Sequence, residues 1–286
     1  MEQRHDERRS QTRTRFSLTP PHSPLTVTAQ RTNTYFISDL HLGAGYIADH
    51  RNHERMIADW LRSIAPHARA LYLLGDILDY WYEYRTVVPR GYVRFFGALA
   101  ELADQGVEIT WLKGNHDIWI FDYLPKEIGL TVADGVVVRD IDGRRFVMEH
   151  GDGVGEPRRS YRIMRRLFRN RFAQWLYASI HPRWTVGFAH RWSSHSRLSA
   201  DAPCHTTILP DSDPLMRFAR DFEQKEGHAD FFIFGHRHTI VDQSVGPDSR
   251  LIVLGDGFRL MTYGVWDGRA FALHKISELT CDPDGK

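Results

Sequence analysis

Seven candidate metal ligands, Asp39, His41, Asp76, Asn115, His150, His236 and His238, with His116 beside them, sit in five short motifs. The motifs are Ser38-Asp39-Leu40-His41, Gly75-Asp76, Gly114-Asn115-His116-Asp117, His150-Gly151-Asp152 and Gly235-His236-Arg237-His238. Carboxylate, amide and imidazole without thiolate suit hard or borderline divalent cations such as Mn2+, Fe2+ or Zn2+. Asp76 stands alone after its apolar run and is the best candidate to bridge two ions, at about the 3.5–4 Å spacing of two-metal sites. A consistent partition gives one ion Asp39, His41, Asp76 and His238. The other takes Asp76, Asn115, His150 and His236. The Asn115 amide is a neutral ligand, so the centre stays cationic and keeps an open edge. Such a centre attracts phosphate-ester oxygens and lowers the pKa of a bound water towards neutrality. The implied reaction is in-line attack of hydroxide on phosphorus. His116, beside a ligand and followed by Asp117, reads as a catalytic histidine oriented by an aspartate; it stabilises charge or protonates the leaving oxygen.

Ligands gather past the carboxyl ends of buried strands, and the motifs follow apolar runs of strand length. Strands are expected at 35–39, 70–75, 107–113 and 229–235, with helices around 53–64 and 91–104. Residues 130–150 read as two or three short strands with an Asp142-Gly143 hairpin turn. Asp213-Pro214 opens a helix that stops near Gly227, and 251–275 supplies more strands around an Asp267-Gly268 turn. The aromatic stretch Tyr80-Trp81-Tyr82-Glu83-Tyr84 should pack beside the site. Strands mixed with helices predict an α/β sandwich with mixed sheets. A lone Gly-Asp is usually a turn, and Gly255-Asp256-Gly257 is read that way; His181 and His205 fall outside the motifs. The weight lies in five motifs in order, each after its apolar run.

The chain has 286 residues and a net charge of +1, which excludes polyanion binding by the molecule as a whole. The charge is uneven: segment 156–197 holds ten arginines and one acid, Glu156. Interleaved at steps of three or four are Tyr161, Met164, Phe168, Phe172 and Trp175, an amphipathic helical pattern; Trp184, Phe188 and Trp192 suggest a second helix. A solvated charged face is one reading, and a single-strand nucleic-acid site is another. The preferred reading is a cap that binds an anionic lipid and rests on a membrane surface, with no nucleic-acid partner. Cys204 and Cys281 share no metal-like spacing and suggest a reducing cytoplasm. No run approaches the roughly 18 apolar residues of a membrane span. The expected organisation is a disordered basic arm at 1–33, a core at 34–155 and 201–276, and a helical cap inserted at 156–200.

The motif series resembles the calcineurin-like metallophosphoesterase superfamily over about residues 34–275. The resemblance implies a four-layered α/β sandwich with two metals, expected to be manganese, at one end of the sheets. The stretches at 73–84, 114–123, 150–155, 180–184, 192–197 and 234–238 look like UDP-2,3-diacylglucosamine hydrolases, nearest the Bacteroidota form. That family releases UMP and leaves diacylglucosamine 1-phosphate for lipid A assembly. The resemblance implies a glycolipid nucleotide substrate and a peripheral place on the cytoplasmic face of the inner membrane. It also implies polar substrate contacts at Ser194 and Arg197; the basic cluster Arg158 and Arg159 is expected to steer the diphosphate, and Asn115 to contact substrate as well. One departure is His116, where the best-known branch carries arginine. The alternative substrates are a soluble nucleotide or a phosphoprotein, and a further alternative is a metal-bearing scaffold without catalysis.

Overall fold

The computed structural model describes residues 31–154, 159–181 and 207–276. Period-two alternation divides each central strand between two apolar faces. In β1 (Asn33–Ile37), Tyr35 and Ile37 enter one core and Phe36 another. In β2 (Ala68–Leu74), Leu71 and Leu73 enter the first, and Ala70, Tyr72 and Leu74 the second. Strands buried on both faces need cover on both sides. One sheet runs β11 (Phe271–Lys275), β10 (Thr262–Trp266), β1, β2, β3 (Glu108–Leu112), β4 (Thr131–Ala133). The other runs β5 (Val137–Ile141), β6 (Arg144–Glu149), β7 (Phe231–Phe234), β9 (Arg250–Leu254), β8 (Ile240–Ser244).

Three apolar cores separate four layers. Helices α1 (His50–Ile64), α2 (Val93–Asp104) and α3 (Tyr123–Ile128) cover the outer face of the first sheet. The sheets face each other through the second core, where the Phe36 ring lies 5.4 Å from Tyr72 and 5.7 Å from Phe146. Helix α6 (Pro214–Glu226) covers the second sheet through Leu215, Met216 and Ala219, against Phe232 and Phe234. Its start follows the sequence signal: Asp213 accepts from the Leu215 amide, Pro214 opens the first turn, and Gly227 ends the helix. The inner strands β1–β4 are parallel, as are β6, β7 and β9; β10, β11, β5 and β8 pair antiparallel. The carboxyl ends of both parallel sets carry the motifs.

Asp142 and Gly143 take φ of 52° and 77°, the left-handed pair that a tight hairpin turn needs. The Asp142 carboxylate accepts from Arg69 on β2, twice at 2.8 Å, and from the Trp266 indole at 2.9 Å. This ties the second sheet to the first near the starts of the parallel strands, away from the motifs.

The stripe at 161–175 is divided rather than continuous. Asn170 separates α4 (Arg159–Arg169) from α5 (Arg171–Ala178), and its side chain accepts from the Phe172 and Ala173 amides as the N-cap of α5. Such a cap ends one helix and starts another. The division leaves Phe172 70% and Trp175 64% exposed. The second helix expected around Trp184–Trp192 lies outside the described residues, as do most of the arm at 1–33 and both cysteines.

Candidate metal centre

The five motifs converge at one end of the two sheets. From the first sheet, β1 delivers Asp39 and His41, β2 delivers Asp76, and β3 delivers Asn115 and His116. From the second, β6 delivers His150, and β7 delivers His236 and His238. Backbone bonds lock the loops together: Asp39 N–H donates to Gly75 O, His41 N–H to Asp76 O, Gly235 N–H to His150 O, and Gly257 N–H to Asp39 O. The turns are sharp. Asp39, His41, Asp76, His236 and His238 all have φ between 45° and 67°. Left-handed backbone is uncommon for non-glycine residues, and such residues persist where the surroundings over-determine them. Gly114 fits the close approach, since a Cβ there would lie 2.3 Å from Asp76 Oδ1.

Each candidate carboxylate is held by one oxygen and offers the other. Asp39 Oδ2 accepts from the His236 amide at 2.8 Å, and Asp76 Oδ1 from the His116 amide at 2.8 Å. Around the remaining oxygens, His238 Nε2 lies 3.4 Å and His41 Nε2 3.6 Å from Asp39 Oδ1. His150 Nε2 lies 3.3 Å and His41 Nε2 3.7 Å from Asp76 Oδ2. Three triads therefore have ligand atoms within 4.8 Å of one another: Asp39, His41, His238; Asp76, His150, His236; and His41, Asp76, His116. Each of the first two contains three of the four residues of one expected ligand set, without Asp76 in the first and Asn115 in the second, and His41 Nε2 lies 3.7 Å from Asp76 Oδ2 between them. Among the described residues, Asp39 Oδ1, Asn115 Oδ1 and His150 Nε2 are buried without a hydrogen bond of ordinary geometry. All three can offer lone pairs, and buried acceptors left unmatched are costly. The set fits divalent cations.

The supporting contacts aim the imidazoles. His150 Nδ1 donates to the Leu74 carbonyl at 2.8 Å, which can only accept, so in the neutral imidazole Nε2 carries the lone pair. His41 Nδ1 lies 3.5 Å from Asp79 Oδ1, and His238 Nδ1 lies 3.9 Å from Asp256 Oδ2. Burial alone would raise Asp39 and Asp76, but surrounding histidines dominate and hold both carboxyls below the usual carboxylate range. Burial would lower His150, yet Asp76 beside it lifts it well above the ordinary imidazole value. His236 is lowered, by burial and then by the charge on His150.

The histidine–aspartate pair differs from the sequence expectation. Asp117 accepts from the Gly114 amide at 2.7 Å, the Ile77 amide at 2.9 Å and the Trp111 indole at 3.1 Å. It braces the loops, and burial, then the charge on Asp76, raises it to about 6. His116 is oriented by Asp79 instead: its Nδ1 lies 2.8 Å from the Asp79 carbonyl and 3.6 Å from Asp79 Oδ1. Asp79 follows Asp76 by three residues within the 73–84 stretch, a spacing that could have flagged it. Asp256 is the turn residue expected, accepting from the Arg259 and Leu260 amides, but it also faces His238. Arg158, Ser194 and Arg197 lie outside the described residues, and Arg159 is described only as the first residue of α4.

The sequence matches the calcineurin-like phosphoesterase family over residues 32–239. It is 43% identical over 260 residues to the UDP-2,3-diacylglucosamine hydrolase of Porphyromonas gingivalis, covering 87% of this chain and 99% of the relative. It is 31% identical to the enzyme of the same name from Aeromonas hydrophila, covering 79% and 91%. A solved phosphoesterase from E. coli aligns over 86% of this chain and 94% of its own, at 15% identity and a TM-score of 0.42.

Proposed function

The chain belongs to the calcineurin-like phosphoesterase family, and on that premise we infer that it hydrolyses the pyrophosphate of UDP-2,3-diacylglucosamine, giving UMP and 2,3-diacylglucosamine 1-phosphate for lipid A synthesis. The observation that carries the reading is the pairing of a relative of that name, matched over 99% of its length, with convergent clusters of histidine and aspartate donor atoms. The site takes divalent ions. We assign two, with manganese as the pair, held by Asp39, His41, Asp76 and His238 on one side and by Asp76, Asn115, His150 and His236 on the other. When bound, they neutralise phosphate oxygens and lower the pKa of a water. His116, held through Nδ1 by the Asp79 carbonyl, presents Nε2 to protonate the leaving oxygen. Arg158, Arg159, Ser194 and Arg197 are assigned to the diphosphate and the glucosamine phosphate.

A peripheral place on the inner face of the inner membrane belongs to the same proposal. It is supported by exposed Ile163, Leu167, Phe172, Trp175 and Leu176, next to exposed Arg162, Arg166 and Arg171. Apolar side chains flanked by arginines suit an anionic bilayer surface. No helix among the described residues is long and apolar enough to cross a membrane.

The deciding experiment is turnover of UDP-2,3-diacylglucosamine in mixed micelles by the purified chain, with mass detection of UMP and the diacyl sugar phosphate. Chelation should abolish turnover and Mn2+ should restore it. Hydrolysis of a simple phosphodiester without any UMP release would overturn the substrate while leaving the phosphoesterase.

A further inference from the structure

The stretch that follows Asp76 runs between the candidate centre and the cap helices. Asp79 serves the centre, through its carbonyl on His116 and its carboxylate near His41. The next residue, Tyr80, is 3% exposed, and its hydroxyl lies 3.0 Å from the Tyr177 hydroxyl on α5. Tyr82 donates to the Gln174 carbonyl of α5 at 2.7 Å, and its ring centroid is 4.9 Å from that of Tyr177. Trp119, three residues past His116, closes the cluster. Its indole donates to the Phe168 carbonyl of α4 at 2.9 Å, and its ring lies 4.9 Å from Tyr177. The cap helices thus rest on the two segments that carry His116 and its support.

Peptide planarity makes the connection short. The Asp79 carbonyl that holds His116 shares one rigid plane with the nitrogen and Cα of Tyr80. A shift of the Tyr80 Cα that lets the ring follow α5 tilts this plane and swings that carbonyl with it. A displacement of about 1 Å at a group that positions a reacting side chain can change the rate by up to about a hundredfold.

We propose that Tyr80 and Tyr177 form a positioning pair: the seating of α5 on Tyr80 fixes the Asp79 peptide and thereby the orientation of His116. Cap contact then sets turnover as well as affinity. That acyl chains drive the seating rests on the substrate proposed above; the positioning itself rests only on the contacts around Tyr80.

The test uses the full ion-loaded chain and the variants Tyr80→Phe, Tyr177→Phe and the double variant. Two substrates are compared: UDP-2,3-diacylglucosamine and bis-p-nitrophenyl phosphate, which has no acyl chain. Each single change should lower kcat on the small diester by about tenfold with KM changed less than about twofold, and the double variant should be no worse than the poorer single, as expected for one coupled pair. The His116 ring signals in histidine-labelled NMR spectra should shift in both single variants. An unchanged kcat on the diester with unshifted His116 signals would overturn the proposal, even if KM for the lipid rose, since the pair would then only anchor the cap. If the wild type cleaves the diester but not the lipid, the substrate assignment fails while diester kcat and the NMR shift still decide the pair. If it cleaves neither, the NMR shift decides alone.

Discussion

Asp76 and His116 probe two different duties at the residue scale. Asp76 is 1% exposed, with one oxygen fixed by an amide and the other among imidazole nitrogens. Asp76→Asn keeps the shape and the amide acceptor but removes the charge that both ions would share. At least one ion should be lost, together with nearly all activity, as read by elemental analysis and turnover. His116 lies within reach of His41 and Asp76, yet its Nδ1 is committed to Asp79. His116→Ala should lower kcat by about 10²–10⁴-fold, the range of a positioned acid–base group, with metal content near wild type. Loss of an ion would make it a ligand, and unchanged turnover would make it a bystander.

Elements decide what the sequence could reveal. β1, β2, β3, β6 and β7 were legible because each is an apolar run ending in a polar motif, and α6 because Asp213, Pro214 and Gly227 mark its limits. The contacts of Asp79 and Asp256 were not legible, since they depend on loops that meet only when separate strands are laid side by side. For Asp117 this holds of one donor: Gly114 and Trp111 are close in sequence, whereas the Ile77 amide comes from the loop after β2. In the cap, periodicity gave helix, but Asn170 divided it and turned Phe172 and Trp175 outward. Phe168 instead packs on Trp119, at 5.3 Å between centroids. The exposed pair is therefore the sharper test of the lipid role. Phe172→Ser with Trp175→Ser should weaken binding to anionic vesicles and raise KM for the diacylated substrate, because each buried methylene contributes about 0.8 kcal/mol. Hydrolysis of bis-p-nitrophenyl phosphate should stay within about twofold, since the exposed pair makes no contact needed for the chemical step. Equal loss on both substrates would make the pair part of the fold's support.

For the whole molecule, the site is a junction between sheets as well as a place for chemistry. Asp39, His41, Asp76 and Asn115 come from one sheet; His150, His236 and His238 come from the other. Without ions, the charge attraction between His150 and Asp76, 3.3 Å apart, is part of what holds the junction. The His150 pKa is raised in the folded chain above its ordinary 6.5, so its contribution is complete below 6.5 and fades as pH rises through the higher folded value. The lowered Asp39 and Asp76 carboxyls act oppositely, stabilising above their ordinary 3.8 and losing that as pH falls. Bound ions would require neutral imidazoles and would supply the positive charge in their place. The melting-temperature gap between ion-loaded and chelated protein should therefore widen as pH rises above the ordinary imidazole value through the raised folded one; calorimetry with and without chelator checks this, and a constant gap would remove His150 from the account. The shared junction also orders events in time. The first four candidate ligands are all made by residue 115, but the second sheet's share is complete only with His238. A growing chain can present half a site long before it can close one, so full ion capture reports that both halves of the protein have found each other.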